Sequence, residues 1–140
     1  MTVLRTVAVG FDGSPDAEAA LRWSVAVANR VGADVVVVHA TGLLEHLDRP
    51  AAAGDLEAGV RALAAEEGLD PGRLRWQAGD GDPCSVLLRA ADPPISADLL
   101  VVGSRGQGAH AGLTLGSTSH ELAEHASIPL VIVPSGRPAG

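Results

Sequence analysis

The chain has no lysine; all ten of its basic residues are arginine. That removes several chemistries at once. A Walker A loop needs its lysine on the phosphates, and a Schiff-base mechanism needs a lysine amine. Aromatic residues make up 2% of the sequence against 46% hydrophobic, so the core must be aliphatic. The one cysteine, Cys84, excludes an internal disulfide framework and fits a reducing, cytoplasmic setting. No stretch approaches the roughly 18 uncharged apolar residues of a membrane span, so no membrane partner is expected. The opening MTVLRTVAVG lacks a long apolar region and a small-residue cleavage site, so no signal peptide is expected either. Positive charge is scarce too. The net charge of −7 disfavours sequence-independent binding to nucleic acid, which relies on basic patches.

What is present reads as alternating strands and helices in one domain, residues 1–140. Thr2–Val9 is the first strand candidate. Asp12-Gly13-Ser14 makes a turn, with Ser14 as N-cap and Pro15 at the first position of a helix that Gly32 ends. Asp16 and Glu18 suit the dipole of that helix. Val35–His39 is a second strand, with four consecutive valines that imply cover on both faces. Thr41–Gly54 reads as a loop, Asp55–Glu67 as a helix and Leu74–Ala78 as a third strand. Gly79–Pro83 reads as a turn with Asp82 as N-cap, followed by a helix over Cys84–Ala91. Asp92-Pro93-Pro94-Ile95 breaks the pattern. A strand over Asp98–Val102, a helix from Ser117 to about Ala126 and a strand over Leu130–Val133 complete it. The tail Ser135–Gly140 is expected to fray. This βαβαβαβαβ pattern predicts an α/β fold with one parallel five-stranded sheet and helices on both faces. In the order 3-2-1-4-5, the ends of strands 1 and 4 adjoin and form the crevice where such sheets bind ligands.

One stretch lies at that crevice. Gly103-Ser104-Arg105-Gly106, nine residues, then Gly116-Ser117 connects a buried strand to a helix start. Missing side chains let backbone N–H groups approach phosphate oxygens, and a helix N-terminus adds unpaired donors and partial positive charge. Arg105 is the only cation inside the motif. A left-handed backbone at Gly116 would make any substitution there strained as well.

Three segments resemble the universal stress protein family: Val7-Ala8-Val9-Gly10-Phe11-Asp12-Gly13-Ser14, Val36-Val37-Val38-His39-Ala40, and Gly103-x2-Gly106-x9-Gly116-Ser117. The last is similar to the ATP-binding pattern of that family's nucleotide-binding branch. The resemblance covers nearly the whole chain. It implies a Rossmann-like fold of the adenine nucleotide alpha hydrolase-like kind, a homodimer, and ATP binding with Mg or Mn but without a well-defined catalytic activity. It also implies roles for residues. Asp12 would sit by the adenine and ribose, and Ala40 would offer backbone to the adenine. Val102, Gly103, Arg105 and Gly106 would line the ribose and phosphates, and Gly116, Ser117, Thr118 and Ser119 would hold the phosphates.

Each feature also has a plainer reading. Asp12 suits an Asx turn into Gly13, and Ser117 suits an N-cap. His39 reads as a packed strand-end residue rather than a base. His120 and His125, five apart, do not make a metal pair on one helix face. His46 falls in the loop after the second strand, and His110 falls within the phosphate motif. Cys84, near a helix start, reads as a small buried residue. No catalytic residue is assigned. The leading reading is a dimeric ATP-binding regulatory protein that couples occupancy to a stress response through protein partners not named by the sequence. The alternatives are a slow ATPase or nucleotidyl-transfer enzyme, and a nucleotide-free interaction module. The edge strand Leu130, Val131, Ile132 and Val133 is the expected dimer contact, since an exposed apolar edge calls for a partner.

Overall fold

The computed structural model describes residues 4–41, 50–104 and 116–134. Five parallel strands form one sheet: β1 (Thr6–Gly10), β2 (Asp34–Thr41), β3 (Leu74–Asp80), β4 (Leu99–Gly103) and β5 (Leu130–Val133), in the order β3-β2-β1-β4-β5. The helices between them are α1 (Pro15–Val31), α2 (Pro50–Glu66), α3 (Pro83–Leu88) and α4 (Ser117–His125). Single 3₁₀ turns cover Pro71–Arg73 and Arg89–Ala91. The expected architecture and strand order are both present.

Strand alternation divides the core in two. Val7, Val9, Val35, Val37 and Val101 face one cluster, which α1 and α2 close with Leu21, Val25, Val60 and Leu63. Ala8, Val36, Val38, Leu100 and Val102 face the other, closed by Val86 and Leu87 of α3 and Leu122 of α4. The valine run of β2 is buried on both faces, as its composition requires. Local chemistry sets the ends of α1. Ser14 Oγ accepts the N–H of Ala17 at 3.2 Å, and Gly32, at φ +76°, donates back to the Ala28 carbonyl at 2.8 Å.

Several boundaries differ from the sequence reading. β1 starts at Thr6, not Thr2. Residues 42–49 of the expected loop lie outside the described residues, but α2 already starts at Pro50, ahead of Asp55. Proline suits a first helical position and Ala51–Ala53 favour helix, which outweighs Gly54 inside the span. β3 runs on to Asp80 because pairing with β2 continues to Thr41 opposite Asp80. Gly79 therefore does not open a turn. A Cβ there would lie 2.8 Å from Val86 Cγ1, so this glycine admits α3 against the sheet. α3 itself stops at Leu88 and passes into the 3₁₀ turn. β4 is shifted by one residue to Leu99–Gly103, and α4 ends at His125.

Candidate functional site

β1 and β4 are the central neighbours whose connections leave in opposite directions, so the crevice opens where they end. β1 ends at Gly10, and the chain continues through Phe11, whose N–H donates to the Val38 carbonyl at 2.9 Å. Asp12 follows. Its Oδ1 accepts the N–H of Ser14 at 2.9 Å, and Gly13 between them has φ +84°. Asp12 thus makes the Asx turn that leads into α1.

His39 is a structural residue. Its Nδ1 lies 2.8 Å from the Phe11 carbonyl, which only accepts, so Nδ1 carries the proton of that bond. Its ring stacks on Trp76 with centroids 5.6 Å apart and planes 28° apart. These contacts fix the end of β1 against β2. Beside them Ala40 is half-buried near the end of β2, opposite Gly79. Thr41 Oγ1 donates to Asp80 Oδ1 at 2.8 Å, closing the end of the β2–β3 pair.

The end of β4 is tied more tightly. The Val102 side chain is buried in the cluster with α3 and α4, so only its backbone can line a ligand. A Cβ on Gly103 would fall 2.6 Å from the Asp16 carbonyl carbon and 2.7 Å from its oxygen. Glycine at 103 is therefore demanded by the first turn of α1, whatever else the strand end does. The Gly103 carbonyl accepts the Ser119 hydroxyl at 2.7 Å. Ser104 Oγ donates to Asp16 Oδ2 at 2.6 Å, its N–H donates to the Val133 carbonyl at 3.0 Å, and its carbonyl accepts the Gly116 N–H at 2.7 Å. Ser104 and Asp16 escaped the sequence reading. In the sequence, the glycines of the motif and not Ser104 carry the phosphate signal, and Asp16 looks only like a complement to the helix dipole.

α4 begins at this knot. Its N-cap is Gly116, not Ser117, and no side chain caps it. Ser117 is the first helical residue and is exposed, Thr118 is half-buried and Ser119 is buried. Gly116 has φ −73° and ψ 164°, an extended backbone open to any residue, so conformation does not demand glycine there. The first turn of α4 carries no acidic residue. Its leading N–H groups and dipole suit an anion. Arg105, Gly106 and His110 lie outside the described residues, as does His46.

The remaining candidates belong elsewhere. His120 Nε2 lies 3.2 Å from Glu124 Oε1 and His125 Nε2 lies 4.0 Å from Glu124 Oε2, all three side chains exposed. Among the described residues no group of three His, Cys, Asp or Glu side chains is placed to hold a metal ion. Cys84 is buried near the start of α3. Burial pushes its thiol above the ordinary range, and the charge of Glu121 adds to that. This is the inert thiol of a packed residue. No helix among the described residues is long and apolar enough to cross a membrane.

Comparison with known proteins agrees with this arrangement. The universal stress protein family model matches residues 4–134. Universal stress protein Rv2005c of Mycobacterium tuberculosis is 31% identical over 134 residues, 90% of this chain and 44% of that protein. The chain thus spans less than half the length of that relative. A universal stress protein of Thermus aquaticus is 33% identical over 145 residues, 94% of this chain and 99% of that protein. Among solved structures, a universal stress protein in complex with cAMP superposes with a TM-score of 0.78 at 27% identity, covering 96% of this chain and all of that one (100%). UspA of Lactobacillus plantarum, at 22% identity and a TM-score of 0.83 over 95% of this chain and 99% of that one, shares the fold. The chain belongs to the universal stress protein family.

Proposed function

We propose that this universal stress protein family member binds an adenine nucleotide, ATP with Mg²⁺ or Mn²⁺, in the crevice between β1 and β4. The observation that carries this reading is the start of α4: a glycine N-cap without a side-chain cap, no acidic residue in the first turn, at the carboxyl end of β4. Such a helix start favours a phosphate. The phosphates would meet Gly103, Arg105, Gly106 and Gly116–Ser119, and the adenosine would meet Asp12 and the backbone of Ala40. The cAMP complex of a structural relative supports the adenine-nucleotide class. The divalent cation would arrive on the phosphates and keep several of its waters.

The function proposed is regulatory binding, not turnover. His39, near the end of β2, is engaged by Phe11 and Trp76. ATP occupancy would be read by protein partners as part of a stress response, in a reducing cytoplasm that keeps Cys84 a thiol. The domain would pair as a homodimer through Leu130, Val131, Ile132 and Val133. β5 is an outer strand of the sheet, half-buried along its length. Pairing with a second copy would satisfy its open edge.

Chromatography of nucleotide released by denaturing freshly purified protein tests the reading, together with calorimetric titration by ATP–Mg²⁺ and by adenosine. Adenine nucleotide in the extract and tighter binding of ATP than adenosine are expected. No nucleotide, no heat and no shift in thermal melting would leave the interaction module in its place. Steady release of ADP from ATP would make the protein an ATPase. Light scattering that shows a monomer at micromolar concentration would remove the dimer.

A further inference from the structure

Asp16 is the one carboxylate buried among the described residues, 6% exposed. A buried carboxylate is costly unless it is paired. Here it sits in the first turn of α1, where the helix dipole favours negative charge, and it accepts the Ser104 hydroxyl at 2.6 Å. Ser104 is held on its other sides by β5, through the Val133 carbonyl, and by α4, through the Gly116 N–H at 2.7 Å. The Asp16 backbone presses on Gly103 so closely that no Cβ fits. One carboxylate thus reaches, through one serine, the N-cap of α4.

We propose that Asp16 is a positioning residue. Through Ser104 it fixes Gly116, and with it the start of α4 that receives phosphate. The proposal rests on the nucleotide reading above, and it makes a separate claim about why a charge is buried beside an anion site. A carboxylate next to a phosphate is unfavourable by charge alone. The bond it accepts from the Ser104 hydroxyl ties it to a residue whose backbone joins a strand end, a helix start and an edge strand. Asparagine offers an acceptor of the same shape without the charge, whereas alanine offers none. The two substitutions therefore separate geometry from charge.

The test uses two readouts on the full chain with Asp16→Ala, Asp16→Asn, Ser104→Ala and Ser104→Thr. The first is hydrogen exchange at the Gly116 amide without ligand. Exchange should speed up about tenfold in Asp16→Ala and Ser104→Ala, the loss of one hydrogen bond to a charged group, and stay near wild type in Asp16→Asn and Ser104→Thr. The second is the ratio of ATP–Mg²⁺ affinity to adenosine affinity. It should fall about tenfold in the two alanine variants, be retained in Ser104→Thr, and be retained or raised in Asp16→Asn, which keeps the acceptor and removes the repulsion. A purely structural pair would lower the melting temperature and leave that ratio unchanged. Unchanged exchange at Gly116, or an unchanged ratio, overturns the proposal. Faster exchange in the alanine variants of a protein that binds neither ligand places the failure in the nucleotide reading. Should Asp16→Ala not fold, the Ser104 pair decides by the same two readouts.

Discussion

α1 and α4 start at the carboxyl ends of neighbouring strands, and they are finished in opposite ways. α1 closes its own N-terminus. Asp12 takes the Ser14 N–H, Ser14 takes the Ala17 N–H, and Asp16 and Glu18 place negative charge in the first turn. α4 starts on a glycine that caps nothing, with no acid in its first turn. A helix end that is already satisfied has little to offer a ligand, and one that is not has donors and a dipole to offer. The two ends are also joined, since Asp16 of the closed helix holds Ser104, which holds the N-cap of the open one. In the proposed account the acidic start of α1 serves as scaffold for the open, dipole-positive start of α4.

Four substitutions break or sharpen that contrast. Gly103→Ala has the largest expected effect. Its Cβ would meet Asp16 backbone at 2.6 Å, which cannot yield as a flexible side chain could. Overpacking of this kind costs about 3 kcal/mol, so denaturant unfolding should show a loss of that size. An unchanged midpoint would mean that the start of α1 is not pressed against the end of β4.

Gly116→Asp makes the open helix resemble the closed one. The extended backbone at 116 accepts aspartate, which would cap α4 and raise stability by about 0.5 kcal/mol. The same carboxylate would repel phosphate, and ATP affinity should fall about tenfold or more, roughly 1.4 kcal/mol, in calorimetry. Stability and affinity moving in the same direction would contradict the account.

Ser14→Ala opens the closed helix. It removes the cap on Ala17 and should cost about 1 kcal/mol of stability, with ATP affinity unchanged. A loss of ATP affinity equal to that of Gly116→Asp would show that α1, too, receives phosphate. The smallest effect belongs to the flank of α1 away from the crevice. Arg22 pairs with Glu67 there, both half-exposed, and Arg22→Ala should cost about 0.5 kcal/mol or less and leave binding alone. A larger loss would mean that α1 is held by its outer face rather than by its start.

Much of this contrast is local and was legible in the sequence. Ser14 before Pro15, Gly32 after Val31 and Asp82 before Pro83 each act on their own neighbours, and each caps as expected. β5 has the expected ends, Leu130 and Val133, between two prolines that have no N–H to donate. What escaped depends on contacts across the fold. Gly79 looks like a turn residue until α3 is packed against β3, and Gly103 looks like a phosphate glycine until Asp16 arrives, 87 positions earlier in the chain. The Asp16–Ser104 bond, with its 88-residue separation, leaves no mark in local pattern. α4 starts at Ser117 as expected, but the N-cap is Gly116, since serine at 117 suits an N-cap by preference as well as it fits the first helical turn.

The amide groups themselves give the most direct test. In a ¹⁵N-resolved NMR titration with ATP–Mg²⁺ and then with adenosine, the Ser117, Thr118 and Ser119 amides should shift strongly with ATP and weakly with adenosine. The Ala17 amide, already bonded to Ser14, should move little with either. Equal shifts from both ligands at Ser117–Ser119, or larger ATP-dependent shifts at Ala17 than at α4, would contradict the claim that the uncapped helix start is where phosphate binds.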